Sequence, residues 1–471
     1  MMPNLHLNRM PVEEPKKFYG RRREVRQIIE TIGGYRPGSV SLVGYRRIGK
    51  TSTLRFIQNH KGALNEFAPL LWWPREKYLF VFVDLEVLRI GDVADDDEAA
   101  IRFLRRLLDR LHRAVTKRVA EPGFLSMEKA TELRQCYRQW VDTTNTYALA
   151  TEGLEDYLHK LTEEDVVVVM LLDEADAVVR RGFGLALRSL VATLPLAYVI
   201  ATQKPLHELD AEKDLSPLYN LCTLIPLGLL DDDAARALVA ESAEAAELPF
   251  SPAELAFILR LGGGHPDFLR VAATHVFAAK VEGKRPSCLD DLTPVIAKAL
   301  EGSCISILRG IDATEKALVR QIAEGRPPRN LPPMTATWLI ERGLAVWEAG
   351  RMRLFSPIFQ AHVLSEAATE STPTTLVDGR ELDGERVLDI VTDAKLTPLE
   401  QRILDVLEEH AGQPVSRQEI YERAWQDGKY EERRDATITV AMQRLRGKLK
   451  SQFQNRIRIE AARKEGYSLV T

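Results

Sequence analysis

Gly44-Tyr45-Arg46-Arg47-Ile48-Gly49-Lys50-Thr51, residues 44–51, is the stretch that decides the fold. It fits GxxxxGK[ST]. A strand-like run (VSLV, 40–43) precedes it, and residues 52–59 can form a helix after it. The physics requires that order. Loop glycines let backbone N–H groups converge on phosphate oxygens, and the new helix aims its positive end at the same anion. In this reading Gly44, Arg46, Arg47, Ile48, Gly49, Lys50, Thr51 and Ser52 form the phosphate cradle of ATP or ADP. Lys50 reaches the β- and γ-phosphates, and the Thr51 hydroxyl binds Mg²⁺. A chance match in an ordinary strand–turn–helix is the competing reading.

A second motif argues against chance. The run VVVVMLL, 166–172, holds no polar residue and ends in Asp173-Glu174. A buried strand delivering two carboxylates at its C-terminal end is the Walker B arrangement. Asp173 is expected to hold the Mg²⁺ through water, and Glu174 to orient or deprotonate the attacking water. The bland reading is a strand running into an acidic surface turn that includes Asp176. A further strand, 197–202, ends in Thr202-Gln203; Thr202 is either a γ-phosphate sensor or an ordinary strand end. Arg180, Arg181 and Arg188 follow the acidic pair and are surface arginines unless a neighbouring subunit uses one.

Working outward, strand-like runs at 40–43, 78–85, 166–172, 197–202 and 222–227 alternate with helical stretches. That alternation predicts a parallel sheet covered on both faces. Residues 231–241, 251–261 and 265–280 read as helices, with Asp231 and Ser251 as N-caps. Residues 313–362 read as helices followed by a hairpin, 344–347 and 353–355, turning at Ala349-Gly350. The chain has 471 residues, 45% hydrophobic and 28% charged, which is too long for one core. Its net charge of −4 neither favours nor excludes nucleic acid. Cys136, Cys222, Cys288 and Cys304 are scattered without a CxxC pair, so zinc ribbons and disulfide frameworks are not expected and a reducing cytoplasm is. No apolar run approaches the roughly 20 residues of a membrane helix, and 1–17 lacks the apolar core of a signal peptide.

On these residues, 15 to about 362 resembles the prokaryotic STAND/AAA-like P-loop ATPases. Phe18-Tyr19-Gly20-Arg21 looks like the family's "F-x-G-R" opening, which puts Phe18, Gly20 and Arg21 beside the adenine. GYRRIGKTS (44–52) matches the arginine-bearing P-loop, and LLDEAD (171–176) the Walker B segment. Gly264-His265-Pro266 matches a "G-x-P" turn that brings Pro266 to the base; His265 itself reads as a helix-start packing residue. RLFSPIF (353–359) resembles the end of a small winged helix after the lid. The resemblance implies a five-stranded parallel sheet, a helical lid that moves with nucleotide state, and a homo-oligomer in the ATP state.

The end of the chain carries a different signal. Thr397-Pro398-Leu399-Glu400 opens a helix with a capping box, and Ser416–x–x–Glu419 opens a second. A third runs over about 435–450, with Ile438, Met442, Leu445 and Leu449 on one face. Residues 457–460 and 467–470 form a hairpin turning at 463–466. Residues 433–464 hold ten Lys/Arg against two acids, net +8; residues 396–432 hold four against nine, net −5. A basic helix and turn after an acidic half is the footprint of a protein that meets a phosphate backbone. Arg434, Thr439, Gln443, Arg444, Arg446, Lys448, Arg463 and Lys464 are the residues expected to contact double-stranded DNA. A solvated amphipathic helix on a protein-binding module is the alternative. LTPLE (396–400), VSRQEI (415–420), Trp425, QRLRGKL (443–449) and EGYSL (465–469) resemble the OmpR/PhoB-type winged-helix domain. That resemblance makes the third helix the recognition helix and 463–466 the wing.

The expected architecture is therefore an α/β P-loop NTPase with a five-stranded parallel sheet and helical lid, followed by two winged-helix units. Its divisions fall at 15–230 (core), 231–307 (lid), 308–366 (first winged helix), 367–395 (linker) and 396–471 (DNA-binding winged helix). The function expected is an ATP-driven switch coupled to DNA, in transcription regulation or prokaryotic defence, with any effector supplied by a partner protein. A DNA-acting motor or loader, and an ATPase gating a protein partner without DNA, are the alternatives.

Overall fold

The computed structural model describes residues 11–371 and 398–470, apart from 13, 60, 89–92, 94, 144–145, 210–217, 284–288, 327–332, 349, 411–414, 426–437, 439–440, 443–444, 447–457 and 463–465. Two compact units emerge, Met1–Thr372 and Pro373–Thr471.

In the larger unit, α1 (Arg22–Ile32) leads into β1 (Ser39–Val43); α2 (Lys50–Gln58) and α3 (Ala63–Glu66) carry the chain to β2 (Tyr78–Asp84). Three helices, α4 (Asp96–Arg118), α5 (Met127–Thr143) and α6 (Tyr147–Thr162), separate β2 from β3 (Val167–Asp173). Then come α7 (Asp176–Arg180), α8 (Gly184–Thr193), β4 (Leu196–Thr202), α9 (Leu206–Leu209) and β5 (Cys222–Pro226). Every pairing is parallel, in the order β2-β3-β4-β1-β5. The five expected strands are all present, each within a residue of its expected ends.

The uninterrupted apolar runs form strands because both faces are covered. Val167, Val169 and Leu171 pack on the side of α1 and α2. Val168, Met170 and Leu172 pack on the side of α4 and α6. Each such side chain, fully buried, contributes about 1.5–3 kcal/mol of transfer free energy. The strand order puts β4 between β1 and β3, so the phosphate loop and the Asp173 strand end lie one strand apart, at the same sheet edge.

The chain then enters α10 (Asp232–Ala245), α11 (Pro252–Gly262), α12 (Pro266–Val281) and α13 (Thr293–Gly310). Asp231 caps α10 by accepting from the Ala234 amide at 2.7 Å, and Ser251 and Glu254 form a reciprocal capping box on α11. Next follow α14 (Ala313–Ala323), α15 (Pro333–Glu341), the hairpin β6 (Ala345–Glu348)–β7 (Arg351–Leu354) and α16 (Pro357–Ser371). One apolar core runs through α10–α13 and this helix–hairpin–helix module, with His265, Phe268, Phe355 and Phe359 in a contiguous ring stack.

The smaller unit has α17 (Pro398–Glu408), α18 (Arg417–Trp425) and an antiparallel hairpin, β8 (Arg458–Ala462) and β9 (Gly466–Val470). Ile403, Leu404 and Leu407 of α17 and the predicted stripe residues Ile438, Met442 and Leu445 enter its core with Tyr421 and Tyr467. Val415 pairs with Tyr467 through two backbone hydrogen bonds of 2.8 and 2.9 Å, tying the start of α18 to the hairpin. Thr397 and Leu449 lie outside the described residues. Among the described residues, no helix is long and apolar enough to cross a membrane.

Candidate nucleotide site and tail interface

The phosphate loop owes its shape to two left-handed residues. Gly49 has φ +111°, a backbone conformation that L side chains rarely adopt, and Arg47 has φ +63°. The loop ends in the N-terminus of α2, whose first residue is Lys50. Lys50 is buried, and its ammonium donates to the carbonyls of Gly44 (2.8 Å) and Tyr45 (3.2 Å). Burial lowers its pKa, with Glu174, Asp176 and Asp173 opposing that shift. A buried cation whose hydrogen bonds go to loop carbonyls is suited to receive an anion.

One helical residue further, the Thr51 hydroxyl donates to Asp173 Oδ2 at 2.7 Å. Asp173 is almost wholly buried, and desolvation raises its pKa despite the Thr51 hydrogen bond. Glu174 follows at φ +50°, on the wall of the adjoining cavity, its amide donating to Asp173 Oδ1 at 3.2 Å. Asp176 has its pKa raised by burial, and both of its oxygens accept from the Gln203 amide at 3.1 Å. Hard oxygen donors side by side beside a phosphate loop fit Mg²⁺, which takes one or two protein oxygens and keeps waters and phosphates for the rest.

The cavity above the loop measures about 270 Å³. Arg46, Arg47, Ile48, Gly49, Lys50, Thr51 and Ser52 line its phosphate end. Phe18, Tyr19, Leu230, Leu238 and Pro266 add apolar surface to its wall, as a purine face needs. Phe18 is fixed by stacking on Phe56, with ring centroids 4.3 Å apart. Ser52 Oγ accepts from the Val12 amide at 3.1 Å, holding the N-terminal segment over α2.

Other predicted residues sit differently. Arg21 reaches the cavity wall, but its guanidinium donates to the carbonyls of Ile48 (3.1 Å), Gly228 (2.5 Å) and Leu229 (3.1 Å). Burial brings its pKa down to about 10. It thus clamps the phosphate loop to the connection between β5 and α10. Gly20 packs against Ala234 and Leu230, off the cavity wall, and Gly44 abuts Ile48 and Leu227. Thr202 is fully buried beside Val43, and its hydroxyl donates to the Lys204 carbonyl at 2.7 Å rather than into the cavity. Arg181 is held by Asp96 (3.1 Å) and the Val93 carbonyl.

Sequence reasoning missed the share of the wall that α12 supplies. Asp267 and Arg270, in the first turns of α12, both line the cavity. The Asp267 carboxylate accepts from Ser303 Oγ (2.7 Å) and pairs with Arg47 of the loop (3.3 Å). Arg270 has its pKa lowered by burial, and its Nε has no hydrogen-bond partner. The only local signal was their place after Gly264-His265-Pro266, because 220 residues separate Arg47 from Asp267.

His265 caps α12 without a side-chain capping hydrogen bond, and its buried ring stacks on Phe355. Burial holds its pKa down to about 4. A histidine whose folded pKa lies below its unfolded value of about 6.5 stabilises the fold above that value and loses this as pH falls towards 4. Lowering the pH from 7.5 to 5 is therefore expected to cost about 2 kcal/mol through this residue alone. Urea titrations at the two pH values check it: His265→Phe should lose visibly less stability than wild type over that interval.

In the tail, Arg446 is the one predicted DNA contact whose side chain is described. Its Nε donates to the Ile459 carbonyl at 2.7 Å, and its guanidinium lies 5.4 Å from the Tyr467 ring centre. It braces the third helix against the hairpin. Arg434, Thr439, Gln443, Arg444, Lys448, Arg463 and Lys464 lie outside the described residues.

The larger unit has the fold of a P-loop ATPase. It is similar to the structure of the Walker-type ATPase paby2304 of Pyrococcus abyssi, with a TM-score of 0.51 at 17% identity over 77% of this chain and 100% of that one. Two further structures overlap at lower scores. The Aeropyrum pernix ORC2 protein (ADPNP-ADP complexes) has a TM-score of 0.39 at 13% identity, over 77% of this chain and 98% of that one. A point variant of Thermotoga maritima RuvB has 0.34 at 14%, over 74% and 96%. No curated protein matches the sequence. Residues 392–469 match the family described as "Transcriptional regulatory protein, C terminal", the OmpR/PhoB-type winged helix. The chain thus joins a P-loop ATPase fold to a transcription-regulator winged helix.

Proposed function

We propose that this protein is a STAND-like switch: it binds and hydrolyses ATP with Mg²⁺, and nucleotide state governs how its C-terminal winged helix meets duplex DNA. The observation that carries the nucleotide half is the 2.7 Å Thr51–Asp173 hydrogen bond, with Lys50 and Glu174 on the same cavity. Phosphates arriving at the loop draw Lys50 from the Gly44 and Tyr45 carbonyls, and their charge favours its protonated form. Thr51 and Asp173 would hold Mg²⁺, which neutralises charge on the phosphates when bound. Glu174 stands where it can orient a water against the terminal phosphate. The apolar part of the cavity wall receives the base, and the lid residues Asp267 and Arg270 lie close enough to respond to what the loop holds.

The DNA half is supported by the family matched at 392–469 and by the +8 charge of residues 433–464. We place the protein in the cytoplasm, with double-stranded DNA as its nucleic-acid partner, a homo-oligomer in the ATP state and any effector activity in trans. We take residues 308–366 as the first winged helix.

Titration with a fluorescent ADP analogue, together with size measurement in ATP and in ADP with and without duplex DNA, tests the proposal. Wild type should bind in the micromolar range or tighter, and Lys50→Ala should weaken binding at least about 100-fold, the scale of one lost charge-assisted contact set. Equal affinity in the two proteins removes the phosphate-loop reading.

A further inference from the structure

Arg342 follows α15, just ahead of the hairpin, and its side chain is 1% exposed. Besides lying 5.3 Å from the ring centre of Trp338 in α15, its guanidinium reaches three other parts of the unit. One guanidinium nitrogen pairs with Glu315 Oε1 at 2.5 Å, in the first turn of α14. Another donates to the Gln203 carbonyl at 3.0 Å, just past the end of β4. The guanidinium plane lies 4.1 Å from the ring centre of Tyr45, the second residue of the phosphate loop. The Tyr45 hydroxyl closes the circle by donating to Glu315 Oε1 at 3.2 Å.

Each partner is also tied to the nucleotide site or to the module. The Tyr45 carbonyl accepts from Lys50, and the Gln203 amide is gripped by Asp176. Glu315 Oε2 accepts from the Asp312 amide in the capping box of α14. The backbone beside Arg342 is equally tight. A Cβ on Gly228 would lie 2.5 Å from the Glu341 carbonyl oxygen, and one on Gly343 would lie 2.9 Å from the Leu229 amide. The carbonyls of 228 and 229 are those that Arg21 clamps to the loop. With no slack between these groups, a change at the loop is passed on rather than absorbed, since packed interiors transmit strain.

We propose that Arg342 is the positioning residue through which phosphate occupancy of the loop reaches the module 313–371. Lys50 supplies the trigger: when phosphates draw it from the Tyr45 carbonyl, the backbone carrying the Tyr45 ring is freed, and the Tyr45–Glu315–Arg342 contacts settle differently with and without nucleotide. The inference rests on the nucleotide reading of the cavity and adds to it the route by which the module responds. A ligand shifts such an equilibrium only by its differential interaction with the two arrangements, and these contacts are where that difference would lie.

The test is amide hydrogen exchange of the full chain with Mg²⁺ and either ADP or a non-hydrolysable ATP analogue, read in β6 and β7. The double variant Glu315→Gln/Arg342→Met removes both charges, so no lone buried charge is left to unfold it, and Gln keeps the capping box. Wild type should change its exchange in these strands on binding. The double variant should bind within about threefold of wild type while its exchange response falls about fivefold or more. Tyr45→Phe, which removes only the hydroxyl and is compared at its own saturation, should lose part of the response. A full response in both variants, or none in a nucleotide-bound wild type, overturns the link and leaves the ATPase reading intact. Failure of wild type to bind nucleotide overturns the ATPase reading, and the link with it.

Discussion

Replacing Glu174 by Gln is expected to lower ATP turnover by about 10²–10⁴-fold while leaving nucleotide affinity within about threefold, the range for loss of a positioned general base. Glu174 is on the cavity wall, one residue beyond the Asp173 carboxylate that takes the Thr51 hydroxyl. Its φ of +50° turns its backbone out of the strand conformation. Gln fills the same volume and can still hydrogen-bond a water, but it takes no proton. Lys50 and Asp173, the residues proposed to hold the phosphates and Mg²⁺, are untouched. Phosphate release at saturating ATP, beside a fluorescent-nucleotide titration, separates the two quantities. Unchanged turnover would remove Glu174 from the chemistry. Loss of binding along with turnover would make it a structural residue of the loop–strand junction.

The division between what the sequence disclosed and what it hid follows the range of the interactions. The five strands were legible because β-branched and aromatic runs bounded by polar turns depend on local pattern alone. Asp231 and Ser251 were legible as caps because a cap answers to an amide three residues away. The helices α4–α6 between β2 and β3 were not drawn out, although Phe103, Leu104, Leu107, Leu108, Leu111 and Val115 mark a helical stripe in α4. In the site, the phosphate loop and Asp173-Glu174 announced themselves by residue type at fixed spacing. Asp267 did not, because its partner Arg47 is distant in sequence and the pair exists only once α12 is packed beside the loop. The same holds for Arg342, whose neighbours Tyr45, Gln203 and Glu315 come from three separated segments. Arg21 was placed beside the base by its motif; its donors instead reach backbone carbonyls that no sequence pattern records.

Raising the salt concentration from 50 to 200 mM is expected to weaken duplex DNA binding by the full chain by about 10²–10³-fold, for about five phosphate contacts and a log–log slope near −4 to −5. The expectation comes from the ten Lys/Arg between 433 and 464 and from the family matched there. Fluorescence anisotropy with a labelled duplex measures it directly, and a slope near zero would remove the DNA reading. Single substitutions then sort phosphate contacts from structural cations. Arg444→Ala and Lys448→Ala should each flatten the slope by about 0.9. Arg446→Ala should behave differently, because that guanidinium is taken by the Ile459 carbonyl and the Tyr467 ring. It should lower the melting temperature of the tail while leaving the slope near its wild-type value, as loss of a hydrogen bond and a cation–π contact does. By sequence pattern alone Arg446 counts with Arg444 and Lys448 among the cations that flank the apolar stripe. The hairpin folded against that helix is what distinguishes it, so the contrast between the three substitutions tests the folded tail as well as its charge.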